Sequence, residues 1–121
     1  MYMNRVGKIG ENIATGYLRK RGYKIIRRNY KLRCGEIDIV AKDGEYICFI
    51  EVKTRTSAFF AEPYESVDYR KQKKLCRIAE TWLSRHEPPD APCRFDIISI
   101  LFNRSIGLKE INHIKDAFGG L

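Results

Sequence analysis

Long apolar runs are missing from this chain of 121 residues: its most apolar stretch, DIISILF, is far too short to cross a membrane as a helix. The opening MYMNRVGKIG also lacks the continuous apolar stretch of a secretory leader, so cytoplasmic residence is the expectation. There are only 4 cysteines, Cys34, Cys48, Cys76 and Cys93, and no two form a C-x-x-C pair. With His86 and His113 as the only imidazoles, a zinc centre is not expected. The cysteines read as reduced, small, semi-buried hydrophobes, with no thiol nucleophile and no disulfide framework among them. The most informative absence is of acid between Arg19 and Arg33, where Arg19, Lys20, Arg21, Lys24, Arg27, Arg28, Lys31 and Arg33 stand without a single carboxylate.

What is present is the composition of one folded domain, residues 1–121, with 44% hydrophobic and 31% charged residues and neither repeats nor low-complexity tracts. Net charge is +8. A second basic cluster, Arg70, Lys71, Lys73, Lys74 and Arg77, opens a predicted helix. Two such clusters in a small domain point to a polyanionic partner, because neutralising phosphates releases condensed counterions. The expected partner is nucleic acid. A membrane surface is not, since the basic helices carry no interfacial apolar face.

Val6, Ile9, Ile13, Ala14, Tyr17 and Leu18 recur at helical spacing between Asn4, a candidate cap, and Gly22, a candidate stop. YKIIRRNYKL then reads as a strand, and GEIDIVA and EYICFIEVKT as two more joined at Asp43-Gly44, a dipeptide favoured in tight hairpin turns. Thr54 to Ser66 has no period and contains Pro63, so it reads as a loop or lid whose Phe59 and Phe60 cap the core or stack on bases. Val67 to His86 carries the stripe Leu75, Ile78, Ala79, Trp82 and Leu83 of a second helix, stopped by EPPDAP. RFDIISILF is a further buried strand, and the tail GLKEINHIKDAFGGL suggests a short edge strand and a terminal helical turn. The order αβββαβ predicts an α/β fold with a mixed central sheet flanked by helices.

If Asp43-Gly44 is the whole turn, Val40 pairs with Ile47, Asp38 with Phe49, Glu36 with Glu51, and Cys34 with Lys53. Glu36, Asp38, Val40, Ile47, Phe49, Glu51 and Lys53 then share one face, with Ile37, Ile39, Ala41, Tyr46, Cys48, Ile50 and Val52 on the other. Opposed side chains stand about 5 Å apart at Cβ, so Glu36, Asp38 and Glu51 crowd together. Two carboxylates at that distance repel by about 3 kcal/mol at an effective dielectric near 20. Lys53 offers one compensating charge, and an oxygen-held divalent cation, Mg²⁺ or Mn²⁺, would offer the rest. The alternative is an exposed strand end where the charges relax into water or pair with arginines.

The spacing of Asp38 and Glu51-Val52-Lys53 resembles the PD-(D/E)XK nuclease superfamily, in which an acid on one strand and E-x-K on the next surround a metal. More closely, the chain resembles the YraN-like family of predicted endonucleases, distantly similar to Holliday junction resolvases. GENIATGYL, NY, GEIDIVA, FIEVKTR, RKQKKL, RFDIISI and IKDAF follow in the expected order along nearly the whole chain. The resemblance implies a restriction-endonuclease-like core in which Asp38 and Glu51 ligate metal with the Val52 carbonyl as a further ligand. It also implies that Lys53 positions the attacking water and that Glu11 assists the metal from the first helix. Glu36 belongs to the family's GEID pattern without an evident role.

On a helical projection Lys71 and Gln72 fall on the apolar face of the second helix, where they could meet a scissile phosphate or snorkel to the rim. Arg55, Arg27 and Arg28 suit phosphate contacts, whereas Arg94 and Asp96 suit a structural ion pair. The expected function is a metal-dependent nuclease that hydrolyses DNA phosphodiesters at branched or structured sites. The alternatives are a non-catalytic nucleic-acid-binding module of the same fold, or action on structured RNA. A homodimer would suit a paired cut across a junction, on family analogy alone.

Overall fold

A computed structural model of the chain describes residues 2–56, 67–86, 91–105 and 107–121. Helix α1 (Tyr2–Lys20) is followed by strands β1 (Lys24–Leu32), β2 (Gly35–Asp43) and β3 (Tyr46–Thr56), helix α2 (Tyr69–His86), and strands β4 (Cys93–Phe102) and β5 (Leu108–Phe118). The strands form one five-stranded sheet in the order β1-β2-β3-β4-β5. Only β3 and β4 run parallel, as the α2 crossover requires, and the remaining neighbours are antiparallel.

Each helix covers one face because each carries one apolar stripe. Val6, Ala14 and Leu18 of α1 bury against Ile39, Ala41, Cys48, Ile50, Ile98 and Ile100. Leu75, Ile78, Ala79 and Trp82 of α2 bury against Val40, Ile47, Phe49, Phe95 and Ile97 on the opposite face. Gly10 lets α1 lie close against β3, since a Cβ there would run into the Thr54 side chain. Helix α1 begins at Tyr2, so Asn4 lies inside it and is not its cap. It ends as expected at Gly22, whose φ of 86° permits the paired bonds Tyr23 N to Leu18 O (3.1 Å) and Gly22 N to Arg19 O (3.0 Å). Helix α2 is capped by Asp68, whose Oδ1 accepts the Lys71 amide at 2.9 Å.

Three expectations are corrected. The tail forms an 11-residue strand with no helical turn, paired with β4 and kinked at Asp116, whose φ is 51°. Cys34 is exposed at the β1–β2 turn, where the other three cysteines are buried or half-buried, and all four are free. The hairpin turn lies one residue later than Asp43-Gly44, because Asp43 pairs with Tyr46 and leaves Gly44-Glu45 as the loop. Gly44 takes φ of 60° while Glu45 is not among the positive-φ residues, so the glycine sits first, as a type II′ loop prefers. Every pair that forms is therefore displaced by two, so that Val40 faces Phe49 instead of Ile47, and the expected pairs of Asp38, Glu36 and Cys34 with β3 do not form.

A slip of two preserves side-chain parity, and the assigned faces hold along most of the hairpin. They fail at Ile37, which packs with Val40 on the α2 side although Ile39 packs on the α1 side. The break falls at Asp38, where the register places Asn29 of β1 alongside with φ of 53°. Phe59, Phe60 and Pro63 lie outside the described residues.

Candidate metal centre and nucleic-acid interface

Backbone pairing between β2 and β3 is regular from the turn to Ile39 and Ile50, and there it stops. The next residues outward are Asp38 and Glu51. The two strands part, and Asp38 fills the fork: its Oδ2 accepts the Val52 amide hydrogen at 2.8 Å. Val52 thus enters the site through its N–H. Asp38 and Glu51 are 9% and 7% exposed, so neither acid relaxes into water.

Two lysines converge on Glu51. Lys53 Nζ, two residues along β3, stands 3.7 Å from Glu51 Oε2, and Lys71 Nζ reaches the same oxygen from the first turn of α2 at 2.6 Å. The Lys71 contact is an ion pair off the line of a hydrogen bond, which leaves Oε2 a buried oxygen without an aligned donor. Burial pushes the Asp38 carboxyl from 3.8 up to about 10, with Glu51 adding to the rise and the Val52 amide opposing it. Burial pushes Glu51 up as well, but hydrogen bonding from Asp38 and the ammonium groups of Lys71 and Lys53 outweigh it and hold it low. Burial and the nearby Glu51 therefore favour the protonated form of Asp38, while the lysines favour the ionised form of Glu51. Burial drives Lys53 down to about 8, against the pull of Glu51.

Beyond Asp38, Glu11 of α1 and Glu36 of β2 complete a group in which one carboxylate oxygen from each lies within 4.8 Å of the others. Glu11 Oε1 is held by Asn29 Nδ2 at 2.9 Å and has Arg28 at 3.9 Å; Glu36 has Lys31 at 3.7 Å. Sequence reasoning placed Glu36 in the acidic crowd through an expected pairing with Glu51 that does not form, and attached Glu11 through resemblance. The break in alternation at Asp38 brings both to it, and hydropathy patterning carries no trace of such a break.

These residues fit a hard divalent cation. The donors are all carboxylate oxygens, and one buried Glu51 oxygen lacks an aligned donor. Asp38 and Glu51 would hold the ion, with Glu11 and Glu36 close to Asp38 as further acids.

Of the expected phosphate contacts, Lys71 faces the acids, while Gln72 turns away and donates from Nε2 to the Val67 carbonyl at 3.1 Å. Arg28 donates to Asn12 Oδ1 at 2.8 Å, and Arg55 donates to the Thr54 carbonyl at 3.1 Å. Arg27 is exposed on edge strand β1 together with Lys24 and Lys31. A cleft of ≈ 340 Å³ opens beside the acids, lined by Gly35, Glu36, Arg70, Lys71, Lys74 and Leu75 among others.

Arg94 and Asp96 form the structural pair anticipated, within a larger network. Asp96 is fully buried and accepts from Arg94 Nε at 3.0 Å, His113 Nε2 at 2.9 Å and the Asp116 amide at 3.0 Å, while Arg94 also donates to the Tyr23 hydroxyl at 2.9 Å. His113 and Asp116 belong to the strand that the sequence showed least clearly.

A mixed sheet between two helices, with acids and lysines gathered where β2 and β3 part, defines an α/β protein of restriction-endonuclease-like architecture. No helix among the described residues is long and apolar enough to cross a membrane. The pattern of Uncharacterised protein family UPF0102 matches residues 10–100, and the chain belongs to that family, which is the YraN family. It is similar to UPF0102 proteins of Chlorobaculum parvum (49% identical over 117 residues, 93% of this chain and 91% of the relative). Further relatives are those of Geotalea uraniireducens (47% over 113 residues, 93% and 88%) and Caldicellulosiruptor bescii (44% over 119 residues, 98% and 100%).

Proposed function

We propose that this protein is a metal-dependent nuclease that hydrolyses phosphodiester bonds in DNA, with branched or structured DNA as its substrate class. The observation that carries the reading is the buried Asp38–Glu51 pair, set beside two lysines at a sheet fork and bordered by basic surfaces on β1 and α2. Such a pair is costly to bury for structural reasons alone, since neither acid is matched by an arginine fork or a full set of donors.

When bound, Mg²⁺ or Mn²⁺ lowers the pKa of a coordinated water and stabilises charge developing on the phosphoryl oxygens. The chain supplies the rest. Asp38 is fixed by the Val52 amide, and Glu51 is fixed between Lys53 and Lys71. Lys53, driven down to about 8, is close enough to neutrality to hold the attacking water and take its proton. Water oxygen bonds to phosphorus, the bond to the leaving ester oxygen breaks, and that oxygen takes a proton from solvent water and departs as a hydroxyl. No covalent bond to the protein is needed. Lys24, Arg27 and Lys31 on one side and Arg70 and Lys74 on the other grip the backbone without reading sequence.

The test is incubation of the purified chain with linear, nicked, flap and four-way DNA, and with structured RNA, in Mg²⁺, Mn²⁺ or EDTA. Metal-dependent cleavage that disappears in Asp38→Ala and in Lys53→Ala is expected. Binding without cleavage under every metal condition would reduce the protein to a nucleic-acid-binding module, and cleavage confined to RNA would move the substrate class.

A further inference from the structure

Lys71 is the second cation on Glu51, and it comes from a different element than the E-x-K sequence. Its backbone is fixed by the Asp68 cap at 2.9 Å, its Nζ lies 2.6 Å from Glu51 Oε2, and its side chain is 36% exposed and lines the adjoining cleft with Arg70 and Lys74. Lys53 already stands 3.7 Å from the same oxygen and is only 13% exposed, so its ammonium has nowhere else to go. Lys71 has two places open to it: the carboxylate, or the cleft.

A lysine and a divalent cation cannot share Glu51 Oε2 at these distances without strong repulsion. We propose that Lys71 is a displaceable counter-ion, which occupies the cation's place on Glu51 in the metal-free protein and moves into the cleft toward a substrate phosphate when the cation binds. This inference rests on the metal-dependent reading above. By linkage, cation and phosphate then favour each other's binding, because the cation releases the group that the phosphate attracts. The arrangement also keeps the acid pair neutralised, and the fork folded, before metal arrives.

The test is calorimetric titration of the full chain with Mn²⁺ for wild type, Lys71→Met and Lys71→Arg, alongside acylation of Lys71 read by mass spectrometry with and without Mg²⁺. A displaced counter-ion predicts that Lys71→Met binds Mn²⁺ tighter by about fivefold or more, that Lys71→Arg stays near wild type, and that Lys71 acylation rises severalfold on adding Mg²⁺. The acylation arm uses unaltered protein and so is independent of any folding defect. If wild type binds Mn²⁺ but Lys71→Met binds no tighter and acylation does not rise, Lys71 is a fixed structural partner and the inference fails alone. If wild type binds no divalent cation, the metal-dependent reading falls and takes the inference with it.

Discussion

Asp38 Oδ2 lies 2.8 Å from the amide nitrogen of Val52, just past Ile39 and Ile50, the last residues at which β2 and β3 pair. A side chain thus satisfies a backbone donor that the parting of the strands would otherwise leave without a partner. The carboxylate becomes part of the sheet, buried and aimed by the main chain, which is how an ionisable group can be held at fixed geometry inside an apolar frame.

That position makes Asp38 costly to the metal-free protein. Its folded pKa of about 10 lies above its ordinary 3.8, so the folded chain holds a proton that the unfolded chain releases. Without a cation, the contribution of Asp38 to stability is fullest below the ordinary carboxylate range and falls as pH rises toward 10. Asp38→Asn should therefore stabilise the metal-free protein at neutral pH, by about 1–3 kcal/mol, while abolishing the stabilisation that Mn²⁺ gives to wild type. Urea unfolding with and without Mn²⁺ reads both effects; a destabilised metal-free variant would contradict them.

Asp96 should behave in the opposite sense. Burial pushes its carboxyl up, but the bonds from His113, Arg94 and the Asp116 amide outweigh burial and hold it below its ordinary 3.8. Its stabilisation is present above that value and is lost as pH falls through the lowered one. Asp96→Ala should cost about 3–5 kcal/mol by leaving half-buried Arg94 with Asp43 as its one remaining acid and depriving His113 and the Asp116 amide of their acceptor. Denaturant melts at pH 7 would show the loss, and Mn²⁺ affinity of the variant in its folded range should be unchanged.

The basic edge predicts a salt signature. Replacing Arg27 and Lys31 with alanine should weaken DNA binding equally across sequences and lower the slope of log affinity against log salt by about 1 for every phosphate no longer neutralised. Fluorescence anisotropy at several salt concentrations measures it, and an unchanged slope would place the nucleic acid elsewhere.

Both helices were legible in the sequence because each buries one stripe, and β2, β3 and β4 because they are short apolar runs bounded by turn residues, while β1 was read despite its imperfect alternation. The faces of the hairpin survived an error in its turn, since the Gly44-first loop displaced the register by two and parity is insensitive to even slips. What did not survive was Ile37, whose side chain follows a local break at Asp38 that depends on Asn29 in the neighbouring strand. Asp38, Glu51 and Lys53 could be selected from charges interrupting apolar runs. Glu36 was selected with them, but through a pairing with Glu51 that does not form; its neighbours in the cluster are set by that same break. The inward turn of Lys71 was visible on a helical projection, but its partner was not, for the projection says nothing of which strand end lies beneath. Strand β5 was read short because its exposed, charged edge resembles a tail until the bonds of His113 and Asp116 to Asp96 are known.

Diffraction from crystals soaked in Mn²⁺, recorded where manganese scatters anomalously, tests the central claim most directly. An anomalous peak is expected at the fork, within coordinating distance of carboxylate oxygens from both Asp38 and Glu51, with Lys71 Nζ moved off Glu51. Saturating Mn²⁺ with no peak between those two acids, and Lys71 still seated on Glu51, would contradict it.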